Sequence, residues 1–184
     1  MSDAPPRIES ERLVLRMPTL ADADGVAEQL TDPEVMRWIG GGRTLTREEA
    51  PAAVQGWLDR WAANGFGHFA VERKEDGRFL GRVGLIVWDT RDWRHVTLAE
   101  AGVHAQIELG WAFAREHWGR GYATEAALAA RDWARRECGV GRLISLIHED
   151  NVRSQAVARR LGARPVGTVT ILGSVPVVVW EHPS

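Results

Sequence analysis

Apolar and polar side chains alternate along several short stretches of the chain, and this pattern predicts strands. It is clearest at residues 106–114, where Ile107, Leu109 and Trp111 are each followed by a polar or small residue. Alternation of this kind is typical of a strand with one buried face. The other predicted strands cover residues 12–16, 66–72, 79–88, 143–147 and two stretches separated by Gly173-Ser174.

Apolar residues that recur every three or four positions predict helices between these strands. One such series runs from Ala50 through Trp57 to Trp61, and Gly65 ends it. A second series, rich in alanine, covers about residues 121–137, and its small side chains allow a helix to lie close to a sheet. Cap residues followed by apolar series predict the other helices, after Thr19, after Asp32-Pro33 and at residues 152–161.

The order of these elements predicts a mixed sheet. Residues 66–72 and 79–88, joined by a turn at Asp76-Gly77, are expected to pair as an antiparallel hairpin. The strand, helix and strand between residues 106 and 147 imply a parallel pair joined by a right-handed crossover. Helices are therefore expected on both faces of the sheet, which places the fold in the α/β (α+β mixed) class.

Length and linkers indicate a single domain. The chain has 184 residues and no stretch rich in proline, glycine or serine that would divide it, so we expect one domain over residues 1–184. Residues 1–10 are predicted to be a loose arm. Residues 89–105 are too long for an ordinary connection, and they are either a functional loop or an extension of the hairpin.

Composition excludes several classes of protein. The net charge of −2 provides no basic excess for binding nucleic acid, although a local basic pocket for one phosphorylated ligand is not excluded. Cys138 is the sole cysteine, so no disulfide framework forms. No apolar run approaches the roughly 18 residues of a membrane span, and the first residues lack a signal-peptide pattern. We therefore expect a cytoplasmic protein that binds neither membranes nor nucleic acid.

The segment from Trp118 to Ala126 is the most informative motif. Its glycines, Gly119 and Gly121, lie between a predicted strand and the start of a helix. Backbone N–H groups and the helix dipole at such a place can hold a phosphate, although a glycine turn that only begins a helix is the alternative. A Walker loop is excluded by the lack of a Gly-Lys-Ser/Thr triplet, and the dinucleotide fingerprint by Thr124, where glycine or alanine is required.

Four segments together resemble the GNAT superfamily of acetyl-coenzyme A dependent N-acetyltransferases. They are residues 12–16, residues 32–36, residues 118–126, and Asn151 with Ser154 followed by Leu161-Gly162. The resemblance extends over nearly the whole chain, and it is greatest to the branch that includes RimJ and RimL, which acetylate the N-termini of ribosomal proteins. It implies a mixed, mostly antiparallel sheet with a central pair of parallel strands that splay apart.

The resemblance also implies where acetyl-coenzyme A (acetyl-CoA) binds. Phe113 and Ala114 would pair through their backbone groups with the amides of the pantetheine arm. Trp118 departs from the family pattern, since many members have glutamine or arginine there. The pyrophosphate would be bound by backbone N–H groups, with help from the Thr124 hydroxyl; the donors would be Gly119, Arg120, Gly121, Tyr122 and Ala123.

Two further residues have catalytic roles by resemblance. An amine is largely protonated near neutral pH and must lose a proton before it attacks a thioester. Glu108 is the candidate base, and the alternative is a glutamate paired with an arginine on the sheet. Many family members protonate the departing thiolate with a tyrosine at the position of Ala158, and the sole tyrosine here is Tyr122. The candidate donor is therefore Ser154, or water.

Supporting roles fall to other residues. Asn151 is expected to hold the pantetheine or the substrate backbone, with helix capping as the alternative for the Asn151-Ser154 pair. Trp38 and Trp93 lie in regions that line the acceptor site in this family. The helical tryptophans, of which Trp57 is one, are interpreted as core packing. The run of residues 148–150 is interpreted as a solvated turn, and no metal site is expected.

The resulting hypothesis is an enzyme that transfers an acetyl group from acetyl-CoA directly to a primary amine in a ternary complex. A protein N-terminus, an aminoglycoside, a polyamine and an amino acid derivative all remain open as the acceptor. The alternative is a non-catalytic acyl-CoA-binding module or sensor, which would not need Glu108 or Ser154. Dimers are common in the family, so a homodimer is an expectation at that level.

Overall fold

One mixed sheet organises the computed structural model, which describes residues 5–184. Its strands in spatial order are β1, β2, β3, β4, β6, β7, β9 and β8, and β5 pairs with the end of β4. The strand bounds are Arg7–Glu9 (β1), Leu13–Arg16 (β2), His68–Arg73 (β3), Phe79–Asp89 (β4), Arg94–His95 (β5), Ala105–Phe113 (β6), Leu143–Ile147 (β7), Arg164–Ile171 (β8) and Val175–Glu181 (β9).

Six α-helices join these strands within the described residues. The capping boxes at Thr19 and Thr46 are present, and each begins a short 3-10 turn that continues into the next α-helix. Gly65 takes the left-handed conformation that ends its helix, as its position predicts. The helices are Ala23–Leu30 (α1), Pro33–Met36 (α2), Ala50–Asn64 (α3), Leu98–Ala101 (α4), Tyr122–Cys138 (α5) and Val152–Arg160 (α6).

The two faces of the sheet carry different layers. Val83, Leu85 and Val87 of β4 belong to the large apolar core that includes the alanine face of α5. Successive side chains of a strand point to opposite faces, so Arg82, Gly84, Ile86 and Trp88 face the other side, where Arg82 lies over Trp57 of α3. An irregularity in the pairing at residues 79–81 leaves Leu80 in the large core. The α1 and α3 helices form a second apolar cluster. The predicted α/β class with helices on both faces is confirmed.

The parallel pair of β6 and β7 diverges soon after it forms. The strands pair only at Ile107 with Leu143 and at Glu108 with Ile144. Beyond that point the Ser145 hydroxyl donates to the Leu109 carbonyl at 2.6 Å, in place of a backbone bond. This divergence confirms the splayed parallel pair expected in the centre of a mostly antiparallel sheet.

The structure corrects one expectation about the irregular segments and answers one open question. The arm is shorter than predicted, because Arg7–Glu9 pairs with β2 and thereby satisfies the backbone groups of that edge strand; residues 1–4 lie outside the described residues. The open question about residues 89–105 is resolved in favour of a hairpin extension: β5 pairs back on β4, and α4 follows it.

The Ser145 contact yields a stability prediction. Replacing Ser145 with alanine removes a buried donor to Leu109 and a contact of 2.9 Å with Nε2 of His182. We expect the Ser145→Ala variant to lose about 1–2 kcal/mol of unfolding free energy in urea titrations, the usual cost of breaking a buried hydrogen bond. Ser174→Ala, at an exposed hairpin turn, is the matched control. Equal stability of the two variants would contradict the role given to Ser145.

Candidate active site

A cavity of about 250 Å³ opens where β6 and β7 diverge. Glu108 and Gly110 of β6 form part of its wall, and Leu146 of β7 lies opposite them. Trp57 and Arg60 of α3 close the side away from α5. The cavity therefore lies next to the last paired residues of β6 and β7, where backbone atoms of the two diverging strands are open to a ligand.

Glu108 is buried at the point of divergence. The Trp88 indole donates to its Oε2 at 2.6 Å, and the Leu146 N–H donates to its Oε1 at 3.3 Å. Burial raises the pKa of Glu108 to about 7, although these two hydrogen bonds and the charge of Arg82 act in the opposite direction. A carboxyl group with this pKa can accept and release a proton near neutral pH. The alternative reading, an ion pair on the sheet face, is wrong, since Glu108 forms none with the residues described.

The backbone beyond Glu108 has a defined orientation. The Ala114 N–H donates to the Leu80 carbonyl of β4 at 3.0 Å. Because backbone bonding alternates along an antiparallel pair, Ala112 also faces β4, whereas Phe113 and Trp111 turn their backbone groups toward the opening. The Ala114 N–H, which was expected to pair with a ligand, is therefore already used inside the sheet, and Trp111 presents its backbone groups to the opening.

The loop before α5 presents a row of free N–H groups. Gly119 and Gly121 have φ values of 74° and 83°, in the region that favours glycine. Among residues 5–184, none accepts a hydrogen bond from the amides of residues 119–124. The N-terminus of a 17-residue helix adds positive potential at the same place. These features fit a bound pyrophosphate.

Neighbouring side chains hold this loop in position. Arg12 donates to the Arg120 carbonyl at 3.0 Å and pairs with Glu125 of α5 at 2.7 Å. The Trp118 indole donates to the Phe113 carbonyl at 2.8 Å, which ties the loop to the end of β6. Trp118 therefore has a structural reason to stand where the family more often has glutamine or arginine.

Asn151 and Ser154 lie together at the start of α6. The Asn151 Oδ1 accepts from the Ser154 N–H at 3.2 Å, so Asn151 caps the helix and also lines the cavity. Ser154 does not line the cavity, and its hydroxyl forms no hydrogen bond with the described part of the chain. Ala158, where a tyrosine would be expected, is fully buried.

Comparison with known proteins identifies this arrangement. A family model described as an acetyltransferase (GNAT) domain matches residues 12–164. The chain belongs to the GNAT family of acetyltransferases. The family uses acetyl-CoA as the acetyl donor, and the free amides of the loop before α5 fit the pyrophosphate of that molecule.

Relatives and solved structures agree with the assignment. YkkB of Bacillus subtilis (strain 168) is 30% identical over 159 residues, which cover 83% of this chain and 81% of YkkB. An acetyltransferase from Agrobacterium tumefaciens strain C58 is 27% identical, with a TM-score of 0.78 over 100% of this chain and 98% of that one. RimL, a ribosomal L7/L12 alpha-N-protein acetyltransferase solved with coenzyme A, is 16% identical with a TM-score of 0.75 over 96% and 97% of the two chains. The likeness to RimL shows a shared GNAT fold.

The tryptophans divide differently from the expectation. Trp38 lines the cavity and stacks on His148, with ring centroids 4.4 Å apart. Trp93 does not line it; its carbonyl accepts from the N–H of Leu172, which does. Trp57 was expected to be core packing, yet it forms a cavity wall in addition to packing in the α1–α3 cluster. His148 likewise belongs to the cavity rather than to a solvated turn.

Sequence reasoning missed the basic side of the GNAT cavity. Arg60, His68 and Arg82 come from α3, β3 and β4, and all three line the cavity. Burial together with the charges of Arg82 and Arg60 holds the pKa of His68 well below its usual range, so its ring is neutral at pH 7. The available signal was one polar residue in each of two otherwise apolar stretches, His68 within residues 66–71 and Arg82 within residues 79–88, on the same face as Glu108.

Residues 5–184 have neither a metal-binding cluster nor a membrane-spanning helix. They contain no group of three or more His, Cys, Asp or Glu side chains placed to hold a metal ion. No helix in the same range is long and apolar enough to cross a membrane.

The burial of Glu108 predicts a pH-dependent stability. Its pKa is about 7 when folded and 4.5 when exposed, so the stabilisation from the bound proton is complete below pH 4.5 and is lost as the pH rises through 7. Relative to the native chain, Glu108→Gln should therefore gain about 3 kcal/mol of unfolding free energy between pH 4.5 and pH 8. Urea titrations at several pH values measure this difference.

The matched control for that experiment is Glu28→Gln, at an exposed position of α1. It should leave the pH dependence of the unfolding free energy as it is in the native chain. If Glu108→Gln behaves in the same way as Glu28→Gln, the Glu108 carboxyl does not carry the raised pKa.

Proposed function

We propose that the protein transfers the acetyl group of acetyl-CoA to a primary amine that binds beside Glu108, directly and within a ternary complex. The observation that carries this proposal is the buried Glu108 carboxyl, with its pKa of about 7, in a cavity between splayed strands. The free amides of residues 119–124 lie at the other end of β6, where they would anchor the donor.

Binding of acetyl-CoA would use both backbone sites. The N–H groups of Gly119, Arg120, Gly121, Tyr122 and Ala123 would hold the pyrophosphate, and the Thr124 hydroxyl is available beside them. The Phe113 N–H and the backbone groups of Trp111 would pair with the pantetheine amides in the manner of an added strand, while the Phe113 carbonyl accepts from the Trp118 indole. Asn151 lies on the opposite side of the same opening and would contact the end of this arm.

Glu108 supplies the base in this proposal. When bound, acetyl-CoA supplies a thioester whose acetyl group a free amine attacks, forming an amide bond as the carbon–sulfur bond breaks. Glu108 takes the proton that the ammonium group must lose, either directly or through a water molecule. The Trp88 indole and the Leu146 N–H keep its carboxylate pointed at the cavity. Proximity of the two substrates provides much of the acceleration.

Ser154 is the proposed proton donor to the departing thiolate. Its hydroxyl has no other partner in the described chain, and its place on the first turn of α6 is next to the cavity residue Asn151. The buried Ala158 offers no acid. Water is the other candidate donor of this proton. The two candidates lead to different turnover rates for a variant that lacks the Ser154 hydroxyl.

A transfer assay tests the proposed function. Acetyl-CoA binding is measured by calorimetry, and release of coenzyme A thiol is followed over a panel of peptide N-termini, aminoglycosides, polyamines and amino acid derivatives. We expect binding together with amine-dependent thiol release. Glu108→Gln should bind acetyl-CoA normally and lose about 100-fold or more in turnover, within the usual contribution of general base catalysis.

The pH profile adds a second test of Glu108. Since the base must be ionised, kcat/KM for the amine should rise with pH through about 7. The Glu108→Gln variant should lack that step. If the protein binds acetyl-CoA but releases coenzyme A thiol with none of the amines, it is a non-catalytic acyl-CoA-binding module.

The Ser154→Ala variant distinguishes the two proton donors. If the hydroxyl protonates the thiolate, turnover should fall by roughly ten- to a thousandfold while acetyl-CoA affinity stays within about twofold. Ser184→Ala, at an exposed position that does not line the cavity, serves as the control. An unchanged turnover in Ser154→Ala would assign the proton to water.

A further inference from the structure

We propose that the amine acceptor carries a carboxylate, which Arg60 and Arg82 bind on the side of the cavity formed by α3, β3 and β4. This inference rests on the proposed function and narrows its acceptor to a free amino acid or a similar small molecule. A protein N-terminus does not belong to this class, because the α-carboxyl group of its first residue forms a peptide bond.

Arg82 is a partly buried cation that forms no ion pair with the described residues. Its Nη1 lies 3.2 Å from Nε2 of His68, its Nε is buried with no hydrogen-bond partner, and its guanidinium lies over the Trp57 ring at 5.2 Å. Burial lowers the pKa of Arg82 to about 10, which still leaves it charged at neutral pH. A buried charge without a partner is costly, so a ligand that supplies one is favoured.

Arg60 adds a second charge to the same wall. Its Nη1 donates to the Gly56 carbonyl at 3.2 Å, within its own helix. Of the ion pairs formed among residues 5–184, none includes Arg60 or Arg82. The charge of Arg60 lowers the pKa of Arg82, and both charges lower the pKa of His68. The wall therefore holds two cations that repel one another.

The titratable groups that line the cavity do not neutralise this charge. Asp59, whose charge raises the pKa of Arg60, does not line the cavity. His68 and His95 have lowered pKa values, because of burial first and then the two arginines, so both rings are neutral at pH 7. Glu108 is the carboxyl group that faces the cations from β6, and its pKa of about 7 leaves it only partly ionised at that pH. The cavity consequently has a net positive wall. Guanidinium groups match a carboxylate well, because their planar donors can form two parallel hydrogen bonds with it.

The geometry relates this wall to the base. Glu108 lies opposite Ile86 in the β4–β6 ladder, and Arg82 lies four residues from Ile86 on the same face. Four residues of a strand span about 13 Å between Cα atoms, and the two long side chains extend into the space between. A cavity of about 250 Å³ is below the usual range for drug-sized ligands, which suits a small molecule with its amine at Glu108 and its carboxylate at the arginines.

The cofactor does not account for these arginines. The free amides that fit the pyrophosphate precede α5, whereas Arg60 belongs to α3 and Arg82 to β4. Residues 119–121 do not line the cavity that holds Arg60 and Arg82. The two basic sites are therefore separate, and the arginines remain available to the acceptor.

The test compares acceptors that differ only in the carboxylate. Phenylalanine, leucine and methionine are each assayed beside the primary amide and the decarboxylated amine, with the matching aminoalkylphosphonates as a further arm. We expect kcat/KM for at least one amino acid to exceed those of its amide and amine by about 10- to 100-fold, the range for hydrogen bonds to charged groups. The amino group of the amide is less basic than that of the amino acid. A preference for the acid over its amide therefore cannot arise from a larger fraction of free amine.

Variants assign the preference to the arginines. Arg82→Gln and Arg60→Gln should each raise KM for the amino acid about tenfold or more, lower the ratio of kcat/KM for the amino acid to that for its amide by a similar factor, and leave acetyl-CoA affinity within about twofold. Arg82→Lys keeps the charge without the planar donors and should recover only part of the loss. Arg47→Gln, on the exposed surface, is the control for removing a positive charge. Urea titration of each variant confirms that it folds.

A binding arm keeps the proposal independent of turnover. The tryptophans in the cavity wall allow fluorescence titration with phenylalanine and phenylalaninamide; the native chain should bind the acid more tightly, and Arg82→Gln should not. Thiol release from amino acids, amides and amines at equal kcat/KM would overturn the carboxylate site while the acetyltransferase function stands. A preference for the phosphonates would overturn it as well. Thiol release from no amine, with the binding preference intact, would reject the proposed function and retain the site.

Discussion

The divergence of β6 from β7 is the constraint on which the site depends. Had the two strands stayed paired beyond Ile144, their backbone groups would have bonded to each other and the sheet would be closed at its centre. Instead the Ser145 hydroxyl donates to a backbone carbonyl of β6, and the Glu108 carboxylate accepts from a backbone N–H of β7. These two contacts replace backbone hydrogen bonds where the strands diverge. Beyond them, a cavity with free backbone atoms forms in the interior of the protein.

That opening also sets the chemistry of Glu108. A carboxyl group on an ordinary sheet surface would be solvated and fully ionised at pH 7. Here it lies at the base of the cavity, where burial raises its pKa to about 7 and two donors fix its orientation. At the same opening the Arg82 Nε is buried without a hydrogen-bond partner, and its guanidinium forms no ion pair with the described residues. One structural feature therefore produces both the proton acceptor and the positively charged wall.

Local patterns predicted the parts of this fold that local forces determine. The alternation at residues 106–114 identified β6 and put Glu108 on the opposite face from Leu109, and the glycines at 119 and 121 identified the loop before α5. The GNAT resemblance supplied the splay, which no single segment shows. Ala114 could not be assigned correctly, because the direction of its N–H depends on its register with Leu80.

The basic wall was missed for a related reason. Arg60 and Arg82 stand in patterns that also suit solvated positions, and only the packing of α3 across the sheet brings them to one cavity. Trp57 was interpreted as core because its helical spacing is the same whether the facing element is close or leaves a gap. Trp93, in the segment that gave no clear period, has its conformation set by contacts with β4 and Leu172.

The most direct test of the account is the titration of the Glu108 side chain itself. Carbon-13 NMR of the carboxyl groups, with the Glu108 signal assigned as the one that Glu108→Gln removes, reports its ionisation without any substrate. The splayed strands predict a midpoint near pH 7. A midpoint near 4.5, the ordinary value for an exposed glutamate, would mean that the opening does not bury this carboxyl group, and it would contradict the proposed role of Glu108 as the base.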